Sequence, residues 1–251
     1  MKDIILIGSG NVATHLGNSL KKRGFNIVQV WSKHINNAKI LANRLDCEST
    51  SSIKQLKKAD LYILAVKDDA INQIISQLKD ITIVHTSGSI DIEVFNHRVS
   101  NYGVFYPLQT FNKNVDLDLS KTPICIEANN KKFENKLMNI ARELSRNVIQ
   151  LDSESRRALH IAAVFACNFS NHMYTISEKI LSESNLDFRL LLPLINQTVT
   201  KLKDHNPSEI QTGPAKRNDK QLIDSHIIGI KDAKFKELYT LISNSIISHN
   251  E

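Results

Sequence analysis

Apolar residues at 4–7 run directly into Gly8-Ser9-Gly10-Asn11-Val12-Ala13. Leu16, Gly17 and Leu20 then recur at helical spacing, and a second apolar run fills 27–31. This alternation continues to about residue 150. Short apolar runs predict strands at 4–8, 27–31, 61–66, 82–85, 103–106, 123–126 and 147–150. A 3.6-residue period predicts helices between them, at 37–45, 69–78 and 131–144. Strands alternating with helices at this spacing predict an α/β fold with a doubly wound parallel sheet of Rossmann type. Ligands of such sheets lie beyond the carboxyl ends of the strands, which directs attention to 8–13, 32–33, 66–69 and 85–89.

The pattern changes after Asp152. One long helix is expected from about 153 to 184, a second pattern spans 188–202, and a third spans 232–247, with Phe235, Leu238, Leu241, Ile242 and Ile246 on one face. Turn-forming residues concentrate in Thr212-Gly213-Pro214-Ala215-Lys216-Arg217-Asn218-Asp219. The expected organisation is a dinucleotide-binding domain at 1–151 and an all-helical domain at 152–251, the latter serving substrate binding and dimerisation.

The first strand–turn–helix carries G-x-G-x-x-A. In a dinucleotide site Gly8 permits the tight turn, Gly10 lets backbone N–H groups reach a pyrophosphate, and Ala13 lets helix and strand pack closely. The helix N-terminus adds unpaired donors and a positive dipole end. An NAD site ordinarily has an acidic residue at the end of the second strand to hold the ribose 2′-OH. Here that strand ends in Trp31-Ser32-Lys33-His34, and no Asp or Glu occurs between Asp3 and Asp46. A hydroxyl and a cation suit a 2′-phosphate, so NADP is expected. The expected cofactor residues are Gly8, Ser9, Gly10, Asn11, Val12, Ala13, Ser32, Lys33, Val66 and Lys67.

Composition changes this picture little. The chain has 251 residues and a net charge of +6, with its lysines scattered, so an anionic cofactor accounts for the charge and nucleic acid is not expected. No apolar run approaches the ~18 residues of a membrane span, and residues 1–4 do not resemble a signal peptide, so a cytoplasmic location is expected. Cys47, Cys125 and Cys167 have no paired spacing and read as small buried residues; neither disulfides nor a metal site is expected.

Three further segments carry candidate chemistry. In His85-Thr86-Ser87-Gly88-Ser89, Gly88 permits close approach of a ligand, and Ser87 can bind a carboxylate or amide; the alternative is an ordinary polar loop. Gln109 follows the strand ending near Tyr106 and either contacts substrate or satisfies turn backbone. Arg217 either offers a permanent cation to an anionic substrate or pairs with Asp219. The long helix is almost wholly apolar from Leu159 to Phe169, which predicts burial on most sides. His160 and Asn168 interrupt it eight positions apart, near one face of an α-helix. They are the candidate catalytic pair, with His160 exchanging a proton.

The segments GSGNVATHLG, LAVKDDAI, HTSGS, FYPLQTF, HIAAVFACNFSNH and TGPAKRND together resemble the Rossmann-like NADP oxidoreductases whose C-terminal domain has no known function. More distantly the layout is similar to pyrroline-5-carboxylate reductases, 6-phosphogluconate and β-hydroxyacid dehydrogenases, and ketopantoate reductases. The resemblance implies an NADP-binding N-terminal domain, a helical 6-phosphogluconate dehydrogenase-like C-terminal domain used for homodimerisation, and hydride transfer with a small-molecule substrate. The β-hydroxyacid and ketopantoate enzymes carry a catalytic Lys four residues before an Asn. Asn168 stands in the Asn position, but Val164 takes the place of the Lys. Two readings follow: an NADP(H)-dependent oxidoreductase acting on a small, anionic carbonyl, imine or hydroxy compound, or a non-catalytic NADP-binding sensor on a dehydrogenase scaffold.

Overall fold

The computed structural model describes residues 1–95 and 98–249. Eight strands form one sheet: β1 (Asp3–Ile7), β2 (Asn26–Trp31), β3 (Glu48–Thr50), β4 (Leu61–Leu64), β5 (Thr82–His85), β6 (Asn101–Pro107), β7 (Ile124–Ala128) and β8 (Val148–Gln150). Their order is β3-β2-β1-β4-β5-β6-β7-β8. The first six are parallel, as a doubly wound Rossmann-type sheet requires. Strand β7 departs from the expected parallel sheet by running antiparallel to β6. Only a 3₁₀ turn, Leu119–Lys121, lies between these two strands, and without a crossover helix the chain returns beside β6 in the opposite direction. Strand β3 escaped the sequence pattern because Glu-Ser-Thr is polar and only three residues long.

Strand β1 shows why its apolar run is continuous rather than alternating. Ile4 and Leu6 pack on one face of the sheet with Ala13, Leu16 and Leu20 of α1 (Asn11–Lys22). Ile5 and Ile7 pack on the other face, with Ile71, Ile74 and Ile75 of α3 (Asp68–Ile75). A strand covered by helices on both sides has no solvated face to make polar. Helices α2 (Ile35–Leu45) and α4 (Lys131–Leu144) complete the layers. The start of α4 is fixed by Asn130, whose side chain accepts from Phe133 N at 2.9 Å. The order of strands reverses between β1 and β4, which places the ligand crevice of this sheet at the Gly-rich turn after β1.

The chain divides into two compact units, Met1–Asn168 and Phe169–Glu251. The expected long helix is present as α5 (Ser153–Ala163), a π-helical segment (Val164–Phe169) and α6 (Ser170–Ser182). Helix α5 belongs to the first unit. The second unit holds α6, α7 (Leu192–Lys201), α8 (Lys220–Gly229) and α9 (Ala233–Ser248). Helix α8 has no counterpart in the sequence reading because its amphipathic pattern is weak. The expected burial of the 159–169 stretch is not found: Ile161, Phe165 and Phe169 are 54%, 66% and 48% exposed, and Cys167 is also exposed. An apolar helix is buried only where neighbours cover it.

The turn after β1 makes one position irreplaceable. Gly8 has φ +129°, its N–H donates to Trp31 O at 2.8 Å, and a Cβ on it would lie 2.1 Å from the carbonyl oxygen of Ala65. Gly24 also has a positive φ, +82°, but open space where its Cβ would be. Gly24→Ala should therefore cost only the left-handed penalty of about 1–2 kcal/mol. Gly8→Ala adds a backbone collision and should lower the urea midpoint clearly further; equal midpoints for the two variants would refute this account.

Candidate active site

Gly10 is the N-cap of α1 and makes no side-chain cap, and the first turn carries no acidic residue. A Cβ built on Gly10 would meet nothing within 4 Å. The first-turn N–H groups therefore stand beside open space, with the positive end of the helix behind them. Around this turn lies a cavity of about 860 Å³ lined by Gly8, Ser9, Gly10, Asn11, Val12, Ser32, Lys33, Val66 and Lys67, and also by Trp31, His34 and Thr86. Nine of the ten expected cofactor residues thus share one cavity. The tenth, Ala13, is fully buried behind it, in the packing of α1 against the sheet.

The loops are tied together locally. Ser9 Oγ donates to Ser32 Oγ at 3.0 Å, Asn11 Oδ1 accepts from Lys113 N at 3.2 Å, and Thr14 Oγ1 donates to Gly10 O at 2.9 Å. No carboxylate stands at the end of β2; the residues there are Ser32, Lys33 and His34, followed by the N-terminus of α2, whose first turn lacks an acid. The donor set fits a dinucleotide bearing a 2′-phosphate.

A second cluster begins beside Thr86. His85 closes β5, is fully buried, and stacks on Phe95 at 5.6 Å. Its Nδ1 accepts from Ser87 N at 3.1 Å. Burial, helped by the charge of Arg156, pushes its pKa down to about 3, so the ring is neutral. Ser87 Oγ accepts from Ser89 N and Ile90 N at 3.0 and 3.1 Å, which leaves its hydroxyl proton for a ligand. Gly88 lies directly against His160: a Cβ on it would be 2.6 Å from His160 Nδ1. That Nδ1 is 2.9 Å from the hydroxyl of Tyr106, on β6.

Helix α5 is fastened to this loop by its first turns. Arg156, 1% exposed, pairs with Glu127 on β7 and donates to the carbonyl of Ile90. Ser153 Oγ accepts from Ile92 N at 3.0 Å and donates to Glu127 at 2.9 Å. Arg157 Nε donates to Ser89 O at 3.4 Å. His160 follows one turn after Arg156, so the clamp sets its position.

Gln109 and Asn168 are not drawn into this cluster. Gln109 is exposed, and its Oε1 accepts from Thr110 N at 2.8 Å within its own turn. Asn168 is exposed and lies in the π-helical segment, so α-helical spacing does not relate its face to that of His160. Arg217 is exposed in the second unit, and Asp219 caps α8 by accepting from Leu222 N at 3.2 Å.

Two family models match the chain: the NADP oxidoreductases described as coenzyme F420-dependent, over residues 3–92, and a domain of unknown function, DUF2520, over 122–246. A candidate NADP oxidoreductase from Bacteroides fragilis is 40% identical over 98% of both chains, with a TM-score of 0.92. This chain belongs to the NADP oxidoreductase family. NADP is the dinucleotide of that family. Two more distant structures share the fold. A 1-pyrroline-5-carboxylate reductase from Streptococcus pyogenes is 15% identical over 98% of both chains, with a TM-score of 0.66. A reductive aminase from Aspergillus terreus, in complex with NADPH and ethyl levulinate, is 12% identical over 98% of this chain and 94% of its own, with a TM-score of 0.74. No curated protein matches in sequence.

Within this oxidoreductase fold, sequence reasoning missed Thr86, Tyr106 and Arg156. Tyr106 ends a buried strand beside the segment that drew attention to Gln109, and a phenol at a strand's carboxyl end was the available signal. Nothing in the sequence pairs Arg156 with Glu127.

The depressed His85 pKa has a measurable consequence. Its ordinary value is 6.5, so between that pH and about 3 the unfolded chain binds a proton that the native ring refuses. Stability then falls as pH drops through this window, by up to about 1.4 kcal/mol per pH unit. His85→Asn keeps an acceptor for Ser87 N and removes the titration. Between pH 7.5 and 5 the wild type should lose about 2 kcal/mol more than the variant in urea melts; parallel losses would show that His85 titrates normally.

Proposed function

We propose that this protein is an NADP(H)-dependent oxidoreductase that transfers hydride to or from a small, anionic carbonyl, imine or hydroxy compound. The observation that carries the reading is the cavity around Gly10, which has no carboxylate at the end of β2 or in the first turn of α1, and which reaches Thr86 and so adjoins the loop on which His160 rests. In this reading Gly8 to Val12 and the N-terminus of α1 hold the pyrophosphate, while Ser32 and Lys33 hold the 2′-phosphate. Val66 and Lys67 border the dinucleotide. NADPH supplies the hydride when bound. The free hydroxyl proton of Ser87 and the backbone at Gly88 orient the substrate, and His160 moves the proton at its oxygen or nitrogen. Arg217, a permanent exposed cation, suits an anionic substrate group. Val164, where the resembled dehydrogenases carry a lysine, favours the second reading, a non-catalytic NADP sensor; turnover of NADPH with a panel of small keto acids and imines separates the two.

The cofactor assignment can be tested without a substrate. The chain's one tryptophan, Trp31, lines the cavity, so its fluorescence reports dinucleotide binding. NADPH should bind roughly tenfold or more tighter than NADH, since a charge-assisted phosphate contact is worth about 1.5–3 kcal/mol. Gly10→Val should abolish binding while leaving Tm unchanged, because its side chain would enter open space rather than the core. Equal affinities for the two dinucleotides, or normal binding by the variant, would refute these assignments.

The protein is further proposed to be a homodimer built on its helical unit. Leu190, Leu194, Ile228 and Leu241 are 65%, 65%, 79% and 67% exposed there, more large apolar surface than a monomer of this size ordinarily leaves to water. Light scattering at micromolar concentration should give twice the chain mass of 28.4 kDa; a monomer mass would exclude the dimer.

A further inference from the structure

We propose, resting on the reductase reading above, that Tyr106 is a positioning residue that holds His160 as its Nε2–H tautomer and so makes Nε2 the proton-donating atom. Tyr106 is buried, and among the described residues the only partner of its hydroxyl is His160 Nδ1, at 2.9 Å. If Nδ1–H donated to the phenol oxygen, the phenol's own proton would be left without an acceptor inside the protein, which is costly. The O–H therefore donates to Nδ1, and the ring proton resides on Nε2. Gly88 supports the other side of this arrangement. A Cβ at this position would lie 2.6 Å from Nδ1 and 2.7 Å from Cγ, so only glycine leaves room for the ring here. His160 Nε2 has no partner among the described residues and is not among the buried unpartnered atoms, so it is open to a ligand. His85 has the opposite arrangement: its Nδ1 holds the loop and its Nε2 is sealed in the interior. Of these two histidines, only His160 presents a donor outward.

The proton balance closes. Hydride adds to the carbon of a C=O or C=N bond, and the oxygen or nitrogen takes the Nε2 proton as the π bond breaks. Nδ1 takes the phenol proton at the same time, and when the open Nε2 picks up a proton from solvent, Nδ1 returns its own to Tyr106. Burial pushes the Tyr106 pKa up to about 12, still below that of an oxygen acid as weak as water, about 15.7, so transfer toward an alkoxide is downhill.

The test uses the ¹⁵N-labelled full-length protein. Long-range ¹H–¹⁵N correlations read the tautomer, and the His160 signals are identified by their loss in His160→Gln. The wild type should show a single Nε2–H tautomer, and Tyr106→Phe should convert it to a mixture. A wild-type Nδ1–H tautomer, or a spectrum unchanged in Tyr106→Phe, overturns the proposal. With a turned-over substrate, Tyr106→Phe should lower kcat about tenfold with KM unchanged, the loss of one hydrogen bond. His160→Ala should lower kcat by roughly 10²–10⁴. A lost tautomer with unchanged kcat would remove Nε2 from the proton transfer. NADPH quenching of Trp31 in each variant verifies the fold. If the wild type reduces no keto acid or imine, the reductase reading fails while the tautomer measurement still decides the role of Tyr106.

Discussion

The buried guanidinium of Arg156 is the constraint around which the candidate site is arranged. A charge withdrawn from water is tolerated only with an opposite charge and hydrogen-bond partners. Glu127 supplies the charge, and the carbonyl of Ile90 and Ser153 Oγ accept from the second terminal nitrogen, while Nε is buried without a partner among the described residues. Two of these partners come from different places: Glu127 from the antiparallel strand β7, Ile90 from the loop after β5. One side chain thus fixes a helix, a strand and a loop relative to one another. Its charge also helps keep His85 neutral, and the neutral His85 in turn holds Ser87. The serine turn, the glycine against His160 and the Tyr106 hydrogen bond all depend on that fastening.

The two halves of the candidate site differ in kind. The dinucleotide cavity is made of backbone: a glycine forced into a positive φ, a helix start without an acid, and space above Gly10. The second cluster is made of side chains brought together from β5, β6, β7 and α5, separated by up to 75 residues in the chain in the case of His85 and His160. Backbone geometry demands particular residues at particular local spacing, which is why the first half could be read from Gly8, Gly10, Ala13, Ser32 and Lys33. Long-range contacts leave no such record. His160 stood out because it is polar in an apolar helix, whereas Tyr106 and Arg156 became visible only once the sheet placed them.

The same distinction explains the fold-level successes and misses. Strand β1 and helix α4 were legible because burial on both faces, or an asparagine cap with a regular apolar stripe, dictates residue type directly. The antiparallel turn of β7 was not, since it follows from the lack of a crossover helix between β6 and β7. The π-helical segment was not either, because nothing in Val164-Phe165-Ala166-Cys167-Asn168-Phe169 signals a widened turn. In the helical unit the apolar pattern implies more apolar surface than the unit can bury alone, and the structure leaves much of that surface exposed.

The clamp also affects how the chain can be divided. All eight strands are complete by residue 150, and a polypeptide ending there would contain the whole sheet and the glycine turn. It would nevertheless have Glu127 facing a vacated interior, the Ile90 carbonyl without its donor, and a loop after β5 with nothing to rest on. During synthesis the same holds: the loop after β5 lacks this donor until Arg156 emerges. The sheet is therefore structurally finished before it is energetically finished, and the first turns of the next helix supply the difference.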